Sequence, residues 1–531
     1  MSRRVRLVVA VAPLVIALAT SALAGAAASA VPDNIRLTWS ESPKTTQTIG
    51  WRTDATVAAG KVEYAPVGGT PRTVPAPPPE TLATNVGAIN LFSATLRDLQ
   101  PATTYVYRVG DGTHWSAYYT FRTEPADAAK FRFLVFGDAH EREPLYTVWG
   151  KTVTQAYRQN LDARFAVSVG DLIYSGKDYA QWQAWFAGGQ DVIANVPIVP
   201  VIGDHEPRGV TSKERWRRPE YFVTLFKVPQ NGPADFKGEV YSFDYGDAHI
   251  AVLNSSFTYE FAEPAARQAM SDAEAAWLDA DLAASTKRWK LVVYHDATYY
   301  LRPDRSGTLT RASFGPVIDK HHVDVVFNGH DHAMARSYAI SNGEFMPSPA
   351  EGTVYVISGR SGDNPKEALV PKVWFPTYYD PQAQPCYLVV EVDRDVLTIT
   401  TRLQDGTVVD TFRIDKANPE GGTPVVPFGA YQEARFAAFG SLLQFGNPPR
   451  QNAAGEWYVD INALAAYLAG SFDRVSNVLS FDNDETRLQL TDDMFLDASK
   501  RMVSLAGLTS VGFYCRYHRA MNLVMVERWK D

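Results

Sequence analysis

Aspartate and histidine side chains follow five short apolar runs of this sequence, at the point where each run ends. The five polar segments are Gly137–His140, Gly170–Tyr174, Gly203–Glu206, His295 and Gly329–His332. Such apolar runs, several of them separated by helical patterns, are typical of strands buried on both faces of a sheet. Because ligand sites in open α/β sheets lie outside the carboxyl ends of the strands, we expect these side chains to converge.

Carboxylates and imidazoles that meet at one edge would make a metal site. Mixed oxygen and nitrogen donors suit two hard-to-borderline cations, such as iron, zinc or manganese, better than thiol-loving metals. Asp171, the middle acid, is predicted to be shared, because a two-metal site needs one bridging oxygen donor. Paired metals clamp the attacking and leaving oxygens of an in-line displacement and provide hydroxide at modest pH, so the predicted chemistry is hydrolysis of a phosphate ester.

Glycine directly precedes the ligand in four of these segments. We expect the missing side chain to let the chain turn sharply off each strand at low steric cost. A single Gly-Asp or Gly-His pair is typical of an ordinary turn after a strand. Repetition at five successive strand ends favours metal binding over turn capping.

The elements that position these residues fall into three units. From Ile35 to Thr123 short alternating strands predict a β-sandwich of about a hundred residues. After Pro125, apolar strands alternate with helical patterns such as 146–162 and 273–284, which predicts an α/β domain. The last hundred residues predict a small α+β unit with a faint repeat at an offset of 37 positions, in which 458–460 recur as 495–497.

The N-terminal residues have the layout of a secretory signal. Three arginines precede an apolar run from Leu7 to about Ala19, and small residues end at Ala30, the predicted cleavage site. A retained membrane anchor is the alternative. The expectation is a mature protein that is secreted or at the cell surface and has no stable membrane span.

Charge and cysteine content limit the partners. Lys and Arg number 51 against 59 for Asp and Glu, a net charge of −8, which argues against nucleic acid as a partner. Cys386 and Cys515 allow either one disulfide or two free thiols.

The ordered motifs resemble the five metal motifs of purple acid phosphatases, which are related to the calcineurin-like metallophosphoesterases. They are Asp138, Gly170-Asp171-x-x-Tyr174, Gly203-x-His205-Glu206, Val292-x-x-His295 and Gly329-His330-x-His332. The preceding sandwich is similar to the fibronectin type III-like domain of the plant-type members. The resemblance spans about residues 35–415 and implies two metal ions per chain, iron paired with zinc, manganese or a second iron.

The resemblance also implies roles for individual residues. The first metal would be held by Asp138, Asp171, Tyr174 and His332, and the second by Asp171, Asp204, His295 and His330. His205 would bind the phosphate and help to protonate the leaving group. Glu206 and Tyr299 are predicted to contact the substrate, although a surface aromatic is an equally good interpretation of Tyr299.

Two departures from the family pattern bear on the site. His140 stands where the purple acid phosphatases have glycine, while Tyr174 is also present, so either could complete the first metal site. We favour His140, because it matches the motif of the broader metallophosphoesterases. Asp204 stands where the family has asparagine, and this extra anion would strengthen cation binding but repel an anionic substrate.

The leading hypothesis is an exported dinuclear-metal phosphatase that hydrolyses small phosphate monoesters by attack of a metal-activated hydroxide. One alternative is a phosphodiesterase of the same fold, and another is a cell-surface binding protein whose phosphatase site has decayed through Asp204. The predicted domains are a signal at 1–30, the sandwich at 31–126, the catalytic domain at 127–416 and a C-terminal domain at 425–531. The C-terminal domain loosely resembles the stalk domain named after the N-terminal domain of copper amine oxidases. This likeness implies no copper, but it suggests association with the cell surface.

Overall fold

The computed structural model describes residues 28–529 apart from short gaps. These gaps are 143–144, 210–217, 303–304, 306, 367–368, 371, 381, 420–421, 424–432, 445 and 482–485. Nearly all of the predicted signal at 1–30 therefore lies outside the described residues. None of the helices in the described ranges combines the length and apolar character that a membrane crossing requires.

Residues 33–122 form a β-sandwich, as the alternating pattern predicts. Its strands are β1 (Asp33–Thr38), β2 (Gln47–Asp54), β3 (Lys61–Pro66), β4 (Arg72–Pro75), β5 (Glu80–Thr84), β6 (Gly87–Leu96), β7 (Thr104–Gly110) and β8 (Tyr119–Arg122). They pair in the orders β1-β2-β6-β5 and β4-β3-β7-β8. Inward-facing residues such as Trp51, Val62 and Tyr107 are fully buried between the two sheets.

The second unit alternates strands and helices. Its strands are β9 (Lys130–Phe136), β10 (Ala163–Ser168), β11 (Ile198–Pro200), β12 (Tyr241–Tyr245), β13 (Ala248–Val252), β14 (Trp289–Val293), β15 (Val325–Asn328), β16 (Met334–Ser341), β17 (Glu344–Met346), β18 (Thr353–Ser358), β19 (Thr377–Tyr379), β20 (Cys386–Asp393), β21 (Val396–Leu403) and β22 (Val408–Asp415). Its helices are α1 (Thr147–Gln159), α2 (Tyr179–Ile193), α3 (Glu220–Leu225), α4 (Phe257–Glu260), α5 (Pro264–Ala284), α6 (Thr308–Ser313) and α7 (Gly315–Lys320). Helix α5 begins nine residues before the predicted start.

Two sheets form the centre of this unit. One has the order β11-β10-β9-β20-β21-β22, and the other runs β12-β13-β14-β15-β18-β16-β17, with β19 paired to β16. They pack face to face, since Phe133 of β9 contacts both Phe165 of β10 and Phe327 of β15. Trp149 of α1 covers the outer face of the first sheet, and Leu278 of α5 belongs to the cluster on the outer face of the second. The result is a helix–sheet–sheet–helix sandwich.

Parallel pairing sets the position of the polar segments. Strands β9, β10 and β11 run parallel to one another, and so do β13, β14, β15 and β18. The carboxyl ends of parallel strands lie at the same edge of a sheet. The loops after β9, β10, β11, β14 and β15 can therefore meet at one rim.

Residues 435–529 form the C-terminal unit. Its elements are β23 (Arg435–Ala438), β24 (Ser441–Leu443), β25 (Arg450–Gln451), β26 (Trp457–Asp460), α8 (Ile461–Tyr467), β27 (Ser471–Asp473), β28 (Val478–Phe481), β29 (Thr486–Gln489), β30 (Met502–Ser504), α9 (Leu505–Ser510), β31 (Phe513–His518) and β32 (Leu523–Trp529). The predicted order of strand, helix and strand pair occurs twice.

The predicted repeat offset of 37 is wrong. Helix α8 begins after Asp460, whose carboxylate accepts from the first backbone N–H groups, and α9 begins after Ser504, which caps in the same way. These caps, which lie 44 residues apart, mark equivalent positions. Residues 495–497 are not the second copy's strand, because that strand is β30.

The C-terminal unit packs directly on the second, α/β unit. The turn between β23 and β24 accepts a hydrogen bond from Val373 N to Gly440 O at 2.8 Å, and Lys372 Nζ donates to Phe439 O at 2.9 Å. A Cβ on Gly440 would lie 2.2 Å from the Trp374 ring. One apolar cluster also joins Trp374 to Leu523 and Met525 of β32. Within the described chain Cys386 and Cys515 form no disulfide, so both thiols are free.

His249 of β13 has a structural role. Its ring nitrogens lie 2.9 Å from Asp244 Oδ1 on β12 and 2.7 Å from Asp281 Oδ2 on α5. Burial lowers its pKa, but the two carboxylates outweigh burial and raise the pKa of His249 to about 9. This histidine therefore ties the strand pair β12–β13 to helix α5.

Candidate metal centre

Within the described residues, two groups of buried side chains could each hold a metal ion. They are Asp138, His140, Asp171 and His332, and Asp171, Asp204, His295 and His330. The ligand atoms of each group lie within 4.8 Å of one another. Asp171 belongs to both groups, as the sequence analysis expects of a shared carboxylate.

The backbone is strained at four of the seven residues in the two groups. Asp138, Asp171, His330 and His332 have φ values of 39°, 55°, 71° and 58°, in the left-handed region that few non-glycine residues adopt. Such strain persists where the surrounding structure fixes the residue, and it clusters at functional sites. The ligands themselves make the sharp turns off the strands.

The preceding glycines act differently from the prediction. Gly170 alone among the four has a positive φ, at 98°. Gly203 is needed for space, because a Cβ there would lie 2.2 Å from Asp171 Oδ1. The absent side chain thus permits close packing of the ligand loops as well as a turn.

In the first group the structure supplies His140. Its Nδ1 lies 3.6 Å from Asp171 Oδ2, is buried, and has no hydrogen-bond partner among the described residues. An orphaned buried nitrogen beside carboxylates fits a metal ligand. The Tyr174 side chain lies next to His140, with ring centroids 5.8 Å apart, but it is 38% exposed, unlike the buried ligand groups.

In the second group Asp204 and two imidazoles face each other. Asp204 Oδ1 lies 2.9 Å from His330 Nδ1 and 3.4 Å from His295 Nε2. Burial raises the pKa of the Asp204 carboxyl, but the imidazoles of His205 and His330 hold it well below its usual range. Arg208 also forms an ion pair with this carboxylate. The extra acid is therefore charged and compensated.

Partners behind the imidazoles orient them. His295 Nδ1 lies 2.8 Å from Val169 O, and His332 Nδ1 hydrogen-bonds to Asn364 O. The Asn364 side-chain amide contacts His140 Nε2. Asn364, in the loop that follows β18, thus holds two ligands. Such outer partners fix ring orientation and tautomer at metal sites. Sequence reasoning missed Asn364, which belongs to none of the five motifs.

His205 lies over the shared carboxylate. Its Nδ1 is 2.6 Å from Tyr174 O, which turns Nε2 toward the two groups, 3.7 Å from Asp171 Oδ2 and 3.9 Å from Asp204 Oδ2. Nε2 of His205 therefore faces the carboxylates of both ligand groups.

Contrary to the prediction of a substrate contact, the Glu206 carboxylate is directed at the backbone of the ligand loops. Its carboxylate accepts hydrogen bonds from the backbone N–H groups of Asp171, Leu172 and Gly203, at 3.0, 2.8 and 2.6 Å. Burial raises the pKa of Glu206 to about 8, although these three donors favour its charged form. The residue ties the loops after β10 and β11 together and so fixes Asp171.

Tyr299 is also placed differently from the prediction. Its ring packs on Tyr355 of β18 and on Trp374, with centroids 4.8 and 5.5 Å apart, and the Arg311 guanidinium lies over it. Tyr299 therefore packs against the apolar cluster that also contains Leu523 and Met525 of β32.

Comparison with known families agrees with this site. Residues 32–123 match the family model for the purple acid phosphatase N-terminal domain, and residues 131–334 match the model for the calcineurin-like phosphoesterases. The chain therefore contains a purple acid phosphatase N-terminal domain followed by a calcineurin-like phosphoesterase domain. Both matches end before the C-terminal unit.

The curated proteins that this chain resembles include plant purple acid phosphatases. Purple acid phosphatase 15 of Arabidopsis thaliana is 25% identical over 304 residues, covering 51% of this chain and 53% of the relative. Fe(3+)-Zn(2+) purple acid phosphatase 12 of the same plant is 25% identical over 287 residues, covering 50% and 58%. The chain thus spans about half the length of the curated relatives it matches.

A solved structure shows the same fold. The purple acid phosphatase from yellow lupin (Lupinus luteus) seeds superposes with a TM-score of 0.60 at 20% identity. The alignment covers 72% of this chain and 74% of the lupin chain.

Proposed function

We propose that this protein is a phosphatase that hydrolyses phosphate monoesters at a dinuclear metal centre. The observation that carries the proposal is the pair of buried four-residue groups that share Asp171. A shared carboxylate between two sets of oxygen and nitrogen donors suits two adjacent cations.

Each side chain has a defined task in this proposal. One cation would be held by the first group and the other by the second, and together they would supply an activated water and offset charge on the phosphate. His205 presents Nε2 to the phosphoryl group and to the leaving oxygen, while its Nδ1 contact to Tyr174 O keeps the ring in place. Glu206 and Asn364 hold the ligand loops in position.

Iron paired with zinc, manganese or a second iron is the proposed metal content. The mixed carboxylate and imidazole donors support it. A relative named as an Fe(3+)-Zn(2+) phosphatase supports it as well.

The substrate class and location are further parts of the proposal. Small phosphate esters are favoured over nucleic acids because the chain carries a net charge of −8. Export rests on the sequence pattern of residues 1–30 alone. Association with the cell surface through the C-terminal unit is proposed only from its sequence resemblance.

The test combines metal analysis with two substrates and two variants. We expect about two metals per chain and faster hydrolysis of a phosphate monoester than of the matching bis-ester. His205→Ala should lower kcat by about 10²- to 10⁴-fold at unchanged metal content. The control His114→Ala removes an exposed histidine of the sandwich, which pairs with Asp111. It should leave both the metal content and kcat unchanged. Strong preference for the bis-ester, or metal content well below two, would contradict the proposal.

A further inference from the structure

The candidate metal centre collects negative charge that an anionic substrate must approach. Asp138, Asp171 and Asp204 are almost fully buried at 0, 1 and 2% exposure. Two cations of charge +2 or more would together outweigh these three carboxylates, but the extra carboxylate of Asp204 reduces the positive charge that remains and so disfavours a phosphoryl dianion nearby. A compensating positive charge beside Asp204 therefore affects substrate binding.

Arg208 supplies this charge from the same turn. Residues 204–207 form a tight turn after β11, and the Arg208 guanidinium pairs with Asp204 through Nη2 and Oδ2. The backbone fixes the arginine, because Arg208 N donates to His205 O at 3.1 Å and Lys177 N donates to Arg208 O at 3.1 Å. The Tyr259 ring lies 5.9 Å from the guanidinium carbon. The local backbone thus holds Asp204 and Arg208, four positions apart, in a defined ion pair.

Exposure places the guanidinium between the carboxylate and solvent. The Arg208 side chain is 36% exposed, whereas that of Asp204 is 3% exposed. Arginine has five N–H donors in a planar fork that suits phosphate oxygens. The pairing with Asp204 uses Nη2, so the fork has further donors for a group that enters from the open side.

We propose that Arg208 is a substrate-binding residue that neutralises Asp204 and donates hydrogen bonds to the phosphoryl oxygens of the substrate. The inference rests on the proposed function and adds the residue that lets a third carboxylate coexist with an anionic substrate. Arg305 does not pair with Asp204, because its Nε lies 3.7 Å from Asp331 Oδ1 and forms an ion pair with that carboxylate instead.

A double-mutant cycle on the full chain tests the inference. Inorganic phosphate is titrated by calorimetry into native protein, Arg208→Gln, Asp204→Asn and the double variant, with metal content measured for each. Arg208→Gln should keep both metals, weaken phosphate binding by about tenfold to hundredfold and raise KM in parallel. The Arg208→Gln effect should be at least about threefold smaller in the Asp204→Asn background, where no charge needs neutralising.

Two further variants separate charge from geometry. Arg208→Lys keeps the positive charge but loses the planar fork of N–H donors. Its phosphate affinity should therefore lie between those of native protein and Arg208→Gln. Lys177→Gln removes a positive charge from the neighbouring loop, where that lysine pairs with Glu220, and should leave phosphate affinity within about twofold.

Each other result overturns the inference. Phosphate affinity within about twofold of native for Arg208→Gln, or loss of metal from that variant, removes the proposed role. An equal effect in both backgrounds removes the compensation of Asp204. If native protein hydrolyses monoesters while Arg208→Gln binds phosphate normally, this inference alone fails. If native protein neither binds phosphate nor hydrolyses monoesters, the proposed function fails with it.

Discussion

A single methyl group at Gly203 should disable the centre. A Cβ at this position would lie 2.2 Å from Asp171 Oδ1 and 2.4 Å from Asp171 N. Because real Cβ contacts are essentially never shorter than 3.0 Å, Gly203→Ala must displace the shared carboxylate by about 1 Å. The loop cannot yield freely, since Glu206 holds the backbone N–H groups of both residues.

The displacement translates into a large loss of activity. A misplacement of about 1 Å in a catalytic arrangement can cost about 100-fold in rate. Asp171 serves both ligand groups, so both metal occupancies should fall as well. The measurements are metal content by mass spectrometry and kcat/KM with a phosphate monoester, with circular dichroism to establish that the variant is folded.

A second glycine gives the matched control. Gly315 begins α7, and a Cβ there would meet nothing within 4 Å. Gly315→Ala should therefore retain activity and gain at most about 1 kcal/mol of stability from helix propensity. The reasoning is refuted if folded Gly203→Ala keeps two metals and a kcat/KM within about threefold of native.

Three other predictions test separate features. His140→Ala should lose metal from the first group while Tyr174→Phe keeps it, and elemental analysis that shows the reverse would assign the tyrosine as ligand instead. Gly440→Ala should lower Tm because its Cβ would lie 2.2 Å from the Trp374 ring. The control Gly455→Ala, also at positive φ but with its nearest neighbour 3.6 Å away, should lower Tm less. An equal loss of Tm in the two variants would contradict the packing argument. His249→Gln should lower the free energy of unfolding most below about pH 6.5, by about 3 kcal/mol at most, because the folded-state pKa of His249 is raised. This difference from native protein should vanish as the pH rises through about 9. Urea unfolding at pH 6 and pH 9.5 measures it, and a pH-independent difference would show that charge plays no part.

The ligand positions could be predicted because each follows its own strand. Asp138, Asp171 and Asp204 come within two to four residues of a strand end in one sheet, and His295 and His330 do so in the other. Parallel strands bring their carboxyl ends to a common edge whatever the intervening helices do. Local pattern and topology together thus determine the metal-binding residues.

Residues whose role depends on a distant loop could not be predicted. Asn364 is 224 positions from His140, and Glu206 acts through backbone groups that leave no trace in the side-chain pattern. Tyr299 follows His295 closely, but its direction is set by Trp374, which lies 75 residues later. The repeat offset failed because matching letters missed the helix caps Asp460 and Ser504.

The apolar cluster that joins Trp374 to β32 packs the C-terminal unit against the α/β unit. Hydrophobic burial and the backbone bond at Gly440 hold the two together independently of the chain that connects them. A protease that cleaves between residues 423 and 433 should therefore yield two fragments that co-elute in gel filtration and separate only in denaturant. A shortened chain that ends at residue 416 would expose this surface to water and should aggregate.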